Sequence, residues 1–491
     1  MTTARGTEAR VAARPSFHMR LSLQLLLILF TFLALGAING DQALSSSSKL
    51  DRLAWLTLVQ LVLQISILAS SFRSALAPPV VFSAFLSLFT SGWVILRTAQ
   101  LHYPTFDVLI RETSASIASA TSFYLAAFSL YGLGVVVVGG GGHFPRQIRH
   151  EDELRRRLAL SSVGTACIAV GAIPFLIINI NDFRIVFSLG YSAYYESGSR
   201  LTNPLFTLGY FFIVGLIFLA VSGGHSRAKK IAFVLGVVGI LRMIAGDRGE
   251  GMIYLLSVVM MWRALGLGLG HRSGRGRLGP AVLAVFAVVF IPAVGSLRQS
   301  YGGGEFNLRQ AFLGQNPIVE TLRTMGGTLF PLVKVGELVP AGQDFLRGGS
   351  YLSGVLRLLP STLIPAPLSG LVDHQLYASP ATWLMERLGM SYGPGFTPFA
   401  EAYLNFGRWG GCLAMFVFGV VATLALRLRP GVGVFRMAFV LATFALCGFT
   451  VRGSSNFVVA PIVRYVLLPL GAALVLAPSL KGGRTQGVGA E

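Results

Sequence analysis

The chain has 491 residues, of which 53% are hydrophobic and only 12% charged, and its mean hydropathy of +0.67 is too high for an ordinary soluble domain. A formal net charge of +20 would suggest nucleic acid in a soluble protein. Here the Lys and Arg sit in short segments between apolar runs, where membrane topology accounts for them, so nucleic-acid binding is set aside. Each of the three cysteines, Cys167, Cys412 and Cys447, lies inside an apolar segment, away from any CxxC or His-rich pattern, which argues against a disulfide framework and a zinc site.

The chain opens with MTTARGTEARVAARPSFHMR, a basic stretch leading into LSLQLLLILFTFLALGAING. That pairing has the make-up of a signal peptide, but the apolar run is long enough to span, and it reads as an uncleaved first helix with its arginines in the cytoplasm. Apolar runs long enough to cross a bilayer follow at 53–71, 78–97, 115–139, 159–180, 204–222, 231–245, 251–268, 280–297, 409–427, 434–450 and 457–477. The fold class expected is therefore an all-α polytopic membrane protein of about twelve transmembrane helices, with both termini on one side. Arginines and lysines concentrate in one set of connecting segments, including the Arg146 to Arg157 cluster, and most carboxylates in the other. By the positive-inside rule the first set, with both termini, is cytoplasmic and the second external.

The expected organisation is a cytoplasmic tail at 1–20, membrane helices over 21–297, a large periplasmic loop at 298–408, membrane helices over 409–477 and a cytoplasmic tail at 478–491. The loop is far longer than a connector needs to be. It holds SYGGGEFN, PIVETLRTMGGTLFPLV, SGVLRLLPSTLIPAPLSG and ATWLMERLGMSYG, too apolar for a disordered linker. Short helices lying at the interface or dipping back into the protein are expected there. The absence of an internal repeat or inverted pair weighs against a two-half transporter.

Candidate chemistry gathers on the external side. Asp247, Arg248 and Glu250 lie in the Gly-flanked turn GDRGEG, where a ligand can approach the backbone closely. The plain alternative is a solvated turn with a local ion pair. Arg242, inside the preceding span, tips the balance, because charge within a membrane is costly and usually functional; Arg242 and Arg248 could share an anion. Arg298 opens the long loop and Arg452 follows the eleventh span, while Arg464 lies within the twelfth. Several arginines at one face, with few lysines, suit bidentate recognition of phosphate or diphosphate, although snorkelling explains Arg464 and an interfacial cap explains Arg452 equally well. Glu401 is a lone carboxylate in GPGFTPFAEAYLNFGRWGG. A carboxylate with such apolar and aromatic neighbours suits acid/base work, or it is a helix-terminal acid paired to Arg408 or another arginine. External tyrosines, among them Tyr191, Tyr194, Tyr195, Tyr301, Tyr392 and Tyr403, could stack on sugars or form an interfacial belt. No nucleotide-binding, metal or serine-hydrolase motif is found.

GDRGEGMIYLLSVVMMW and GPGFTPFAEAYLNFGRWGGCLAMFVFGV together resemble the O-antigen polysaccharide polymerase (Wzy-type) family of bacterial inner membranes, and GGSYLSGVLRLLPSTLIP resembles that family's stretch ending in Ile-Pro. The likeness in order and topology runs from about Asp182 to Arg464. It implies a membrane glycosyltransferase that polymerises undecaprenyl-diphosphate-linked oligosaccharide repeat units into O-antigen or a related surface polysaccharide at the periplasmic face. It further implies Glu401 as base, Arg248, Arg298 and Arg452 on the diphosphate, and Tyr403 and Asn405 in sugar orientation or in structure. No cofactor and no metal are implied, since the donor is already activated as a diphosphate. The partners implied are the lipid-linked oligosaccharides and the bilayer, with a chain-length regulator and a flippase beside them. An O-antigen ligase differs only in acceptor. A lipid-linked oligosaccharide flippase would spread polar residues through several spans, and a structural scaffold would use the loop for docking.

Overall fold

The computed structural model describes residues 16–101, 112–139, 150–196, 204–244, 248–267, 317–390, 395–428 and 432–480, and among these there are helices and no strands. Helix α1 (Phe17–Gly40) and helix α2 (Ser46–Phe72) each begin at a serine, Ser16 and Ser45, whose hydroxyl accepts a first-turn N–H. Helix α3 (Pro78–Leu96) starts with two prolines, residues that lack an N–H and fit a helix best in its first turn. Helix α4 (Ser114–Gly139) is apolar around its whole circumference and correspondingly buried, with α1, α2 and α3 packed around it.

Helix α5 (His150–Glu196) runs 47 residues, about 70 Å at the α-helical rise, so it extends well beyond a hydrocarbon core. It packs along helix α6 (Pro204–Ser222), and helix α7 (His225–Ile244) pairs with helix α8 (Arg248–Ala264). Then come six short helices: α9 (Pro317–Gly326), α10 (Leu329–Leu338), α11 (Gly349–Leu356), α12 (Ala366–Asp373), α13 (Gln375–Ala378) and α14 (Pro380–Arg387). Helix α9 docks on α3, and α10 on α4, so this segment is built into the bundle. The long helix α15 (Pro398–Leu426) lies against α4, and a methyl group added at Gly419 would run into the carbonyl of Tyr131. That backbone approach is the small-residue contact by which membrane helices gain packing without a hydrophobic drive.

Helix α16 (Val434–Cys447) passes through a 3₁₀ turn (Gly448–Arg452) into helix α17 (Asn456–Pro461), a π-helical turn (Ile462–Leu467) and helix α18 (Leu468–Leu476). Among the described residues eight helical stretches are long and apolar enough to cross a membrane: α1 to α5, α15, Val434–Arg452 and Val458–Leu476, with α3 and α5 counted over Pro78–Ala99 and Asp152–Ser188. The runs expected at 204–222, 231–245 and 251–268 are also helices, but α6 contributes a shorter apolar stretch, Thr207–Ser222, and α7 and α8 carry too much charge or too few residues to qualify by themselves. The run expected at 280–297 lies outside the described residues. Leucines exposed along α1, such as Leu26 at 59% and Leu33 at 65%, are the lipid-facing side of a spanning helix.

Candidate functional site

Helix α15 is broken six residues past Glu401 by Gly407, whose φ of 67° and ψ of −160° belong to a region that only glycine occupies readily. The break leaves upstream carbonyls without their helical partners. The chain at 346–347 supplies replacements: Leu346 N–H donates to the Leu404 carbonyl at 3.1 Å and Arg347 N–H to the Asn405 carbonyl at 2.9 Å. Asn405, fully buried, completes the join, its Oδ1 accepting from Gly348 N–H at 3.0 Å and its Nδ2 donating to Ser350 Oγ and to the Glu401 carbonyl, both at 2.8 Å. The kink thus splices α11 onto α15.

Glu401 stands at the centre of this splice, 1% exposed. Its Oε1 accepts from Ser350 Oγ at 2.7 Å and Ser455 Oγ at 2.6 Å, and its Oε2 accepts from Ser455 N–H at 2.7 Å. A buried carboxylate must be paired or hydrogen-bonded to remain buried, and here three donors from two separate segments serve it. Its partners are these serines; no ion pair to Arg408 forms among the described residues. Ser455 is half-buried, and its hydroxyl is in contact with the enclosed carboxylate. Ser350 and Ser455 were not singled out from sequence. The only signal for them is that each lies in a short Gly- and Ser-containing string flanking the suspected site, GGSYLSG and RGSSNF.

Arg452 ends the 3₁₀ turn that leads to Ser455. Its carbonyl accepts from Phe396 N–H at 3.4 Å, and its side chain lies over Gly395, where an added Cβ would sit 3.1 Å from Nε. Arg452 is half-buried and forms no ion pair among the described residues. Helix α8, which Arg248 opens, packs on the same turn through Ile253 and Gly448. Asp247, Arg298 and the side chain of Arg248 lie outside the described residues, as do Tyr301, Tyr392 and the side chains of Tyr191, Tyr194 and Tyr195.

Arg242 and Glu250 belong to a second cluster. Arg242, buried in α7, pairs with Asp182 of α5 at 2.7 Å and faces Glu250 of α8 at 3.4 Å, and Tyr254 donates to Glu250 at 2.6 Å. The Phe175 ring lies 5.7 Å from the guanidinium. Two carboxylates against one guanidinium make this a tie between three helices, with its charge already answered from within. Tyr403 lies two residues beyond Glu401 and is held edge-on by Phe123 at 5.1 Å, with Phe345 at 6.5 Å. Arg464 donates to the Arg357 carbonyl at 2.6 Å, fastening the end of α11 to the π-helical turn. No group of three His, Cys, Asp or Glu side chains that could hold a metal ion occurs among the described residues.

A bundle of bilayer-length helices, with short helices folded into it around an enclosed carboxylate, defines a polytopic helical membrane protein carrying a polar site at one end of α15. The family model for the O-antigen polysaccharide polymerase Wzy matches residues 21–479, nearly the whole chain, and the protein belongs to that family. No curated protein and no solved structure matches it. Membership makes it a multi-pass membrane polymerase acting on lipid-linked repeat units in polysaccharide biosynthesis.

Proposed function

We propose that the protein works at the periplasmic face of the bacterial inner membrane, with both termini cytoplasmic, and transfers a growing glycan from undecaprenyl diphosphate to the terminal sugar of a newly arrived lipid-linked repeat unit. The acceptor hydroxyl oxygen bonds to the anomeric carbon while the bond from that carbon to the diphosphate oxygen breaks. The diphosphate leaves with the electron pair, and the hydroxyl proton passes to Ser455 Oγ as the Ser455 proton moves to Glu401. The observation that carries this reading is the 2.6 Å contact between a half-buried Ser455 and an enclosed Glu401. A base shielded in this way acts through the hydroxyl that reaches the substrate.

The leaving diphosphate needs cations where its charge develops. Arg452 is available for that role, and the packing of α8 on its turn supports Arg248 as its neighbour. Arg298 is assigned to the same anion by the family likeness. Asn405 orients Ser350 and Glu401, and Tyr403 faces the sugars. Asp247, Glu250 and Arg242 shape the approach to Arg248, the last two through their cluster with Asp182.

The three donors on Glu401 also favour a second reading, in which the carboxylate only holds α11, α15 and the Ser455 turn together. Chain-length ladders from a strain lacking the gene separate the two. Acting as a base, Glu401→Gln and Ser455→Ala each collapse long chains to single repeat units at normal protein level, a loss of about 10² to 10⁴ in rate. Arg452→Ala does the same, and Arg248→Lys fails as Arg248→Ala does if the contact is bidentate. Full ladders from Ser455→Ala, with Glu401→Gln reducing protein level instead, would establish the structural reading.

A further inference from the structure

On the face of α15 away from Glu401 lies a cavity of about 310 Å³ between α4, α10 and the helix. Its polar lining is Ser116 and Ser119 from α4, Glu337 from α10, and Tyr403 and Arg408 from either side of the Gly407 break, with Phe123 among its apolar walls. The volume is at the small end of ligand sites, the size for a single ring. Tyr403 comes two residues after Glu401, which at 100° per residue puts the cavity and the Glu401 knot on roughly opposite faces of the helix.

The lining has a definite chemistry. Phe123, edge-on at 5.1 Å, fixes the Tyr403 ring, an aromatic surface suited to the C–H face of a pyranose. Glu337 is held by Ser116 and by Lys334 at 2.9 Å, and Lys334 is itself anchored by Glu112 at 2.7 Å. Burial pushes the Glu337 carboxyl up, but the bonds from Ser116 and Lys334 outweigh it and hold its pKa below the ordinary value. It is therefore an ionised acceptor with lone pairs to spare, as a sugar diol requires. Arg408 is exposed and forms no ion pair among the described residues, leaving its five donors for hydroxyl or carboxyl oxygens.

We propose that this cavity is a glycosyl subsite that takes one sugar ring of the glycan, with the ring stacked on Tyr403, its hydroxyls on Glu337 and Ser119, and Arg408 donating at the mouth. This rests on the polymerase reading. The helix body, about 10–12 Å across, separates the cavity from Glu401, so the ring held here is further along the glycan than the reacting sugar.

The test uses full-length protein in nanodiscs and, as probe, the repeat-unit oligosaccharide freed by mild acid from the lipid-linked intermediate of a strain lacking the gene. Ser119 is exposed, so Ser119→Trp fills the cavity without disturbing the core. Oligosaccharide binding by calorimetry is expected to weaken at least about tenfold, and the cellular ladder to shorten, with the melting temperature unchanged. If Ser119→Trp melts early, Arg408→Gln, a surface change, carries the test with the same expected direction. Wild-type binding and a wild-type ladder from both variants would overturn the subsite and leave the polymerase standing. A wild-type protein that restores no ladder, yet binds the oligosaccharide in a manner abolished by Ser119→Trp, would overturn the polymerase reading and uphold the cavity as a sugar site.

Discussion

At the scale of single residues, the contrast between Glu401 and Arg242 shows how burial divides charged groups by role. Glu401 is served only by neutral donors, one of them the hydroxyl of half-buried Ser455. Arg242 is answered by two acids and tied into three helices. Removing one partner of a buried pair leaves the other uncompensated, at a cost of about 3–5 kcal/mol. Arg242→Met is therefore expected to lower the melting temperature in detergent sharply, and adding Asp182→Asn to recover part of the loss. An unchanged melting curve for Arg242→Met would show that the cluster does not hold α5 to α7. The acid and the arginine were both conspicuous in the sequence as lone charges in apolar company. Of their partners only Glu250 was, because Ser350 and Ser455 lie 51 and 54 residues from Glu401, and Asp182 lies 60 from Arg242.

At the scale of elements, α4 and α15 form the axis on which the site is mounted. Tyr124 and Phe128 meet Phe399 at 5.0 and 6.4 Å, and buried Tyr131 packs on Phe418 at 6.0 Å. The backbones touch at Gly419, so Gly419→Leu must push the helices apart along their length. Overpacking of this kind typically costs about 1–3 kcal/mol, and because α15 also carries Glu401, the variant is expected to lose both thermal stability and long glycan chains. The measurement is a melting curve beside the ladder; a full ladder at reduced stability would uncouple the helix contact from the site. The helices themselves were readable from hydropathy, since a run of apolar residues of bilayer length has few alternatives. The Gly407 break was not readable, because glycine is common in membrane helices and only the strand of chain at 346–347 shows which one is used to open the backbone.

At the scale of the whole molecule, the short helices over 317–390 are held to the bundle by packing and by a charge clamp. Lys334 bridges Glu112, just ahead of α4, and Glu337. Burial works against the Lys334 charge, yet the hydrogen bonds to Glu112 and Glu337 leave its pKa above the ordinary lysine value, while that of Glu337 is lowered. A raised lysine contributes stability that is complete below the ordinary lysine range and is lost as pH rises through the folded value. A depressed carboxyl contributes stability that is complete above the ordinary carboxylate range and is lost as pH falls through the folded value. The difference in melting between wild type and Lys334→Gln is thus expected to be flat through neutral pH and to vanish on acidification below the carboxylate range. With Lys334 20% and Glu337 36% exposed, screening limits the Glu337 part of it to at most about 1 kcal/mol. A difference that grows on acidification would contradict the clamp.

The sequence alone determined that this is an all-helical membrane protein, and its short Gly-rich motifs pointed to the polymerase family that the match over residues 21–479 establishes. It could do so because span length, charge placement and local motifs are properties of contiguous residues, and the bilayer permits few answers to them. Only the tertiary structure decided what each charge faces: Arg242 in a tie with Asp182 and Glu250, and Glu401 on two serines rather than on an arginine. Those contacts join segments that follow no common period along the chain. Packing of α11 and the Ser455 turn against a broken α15 is what brings them together.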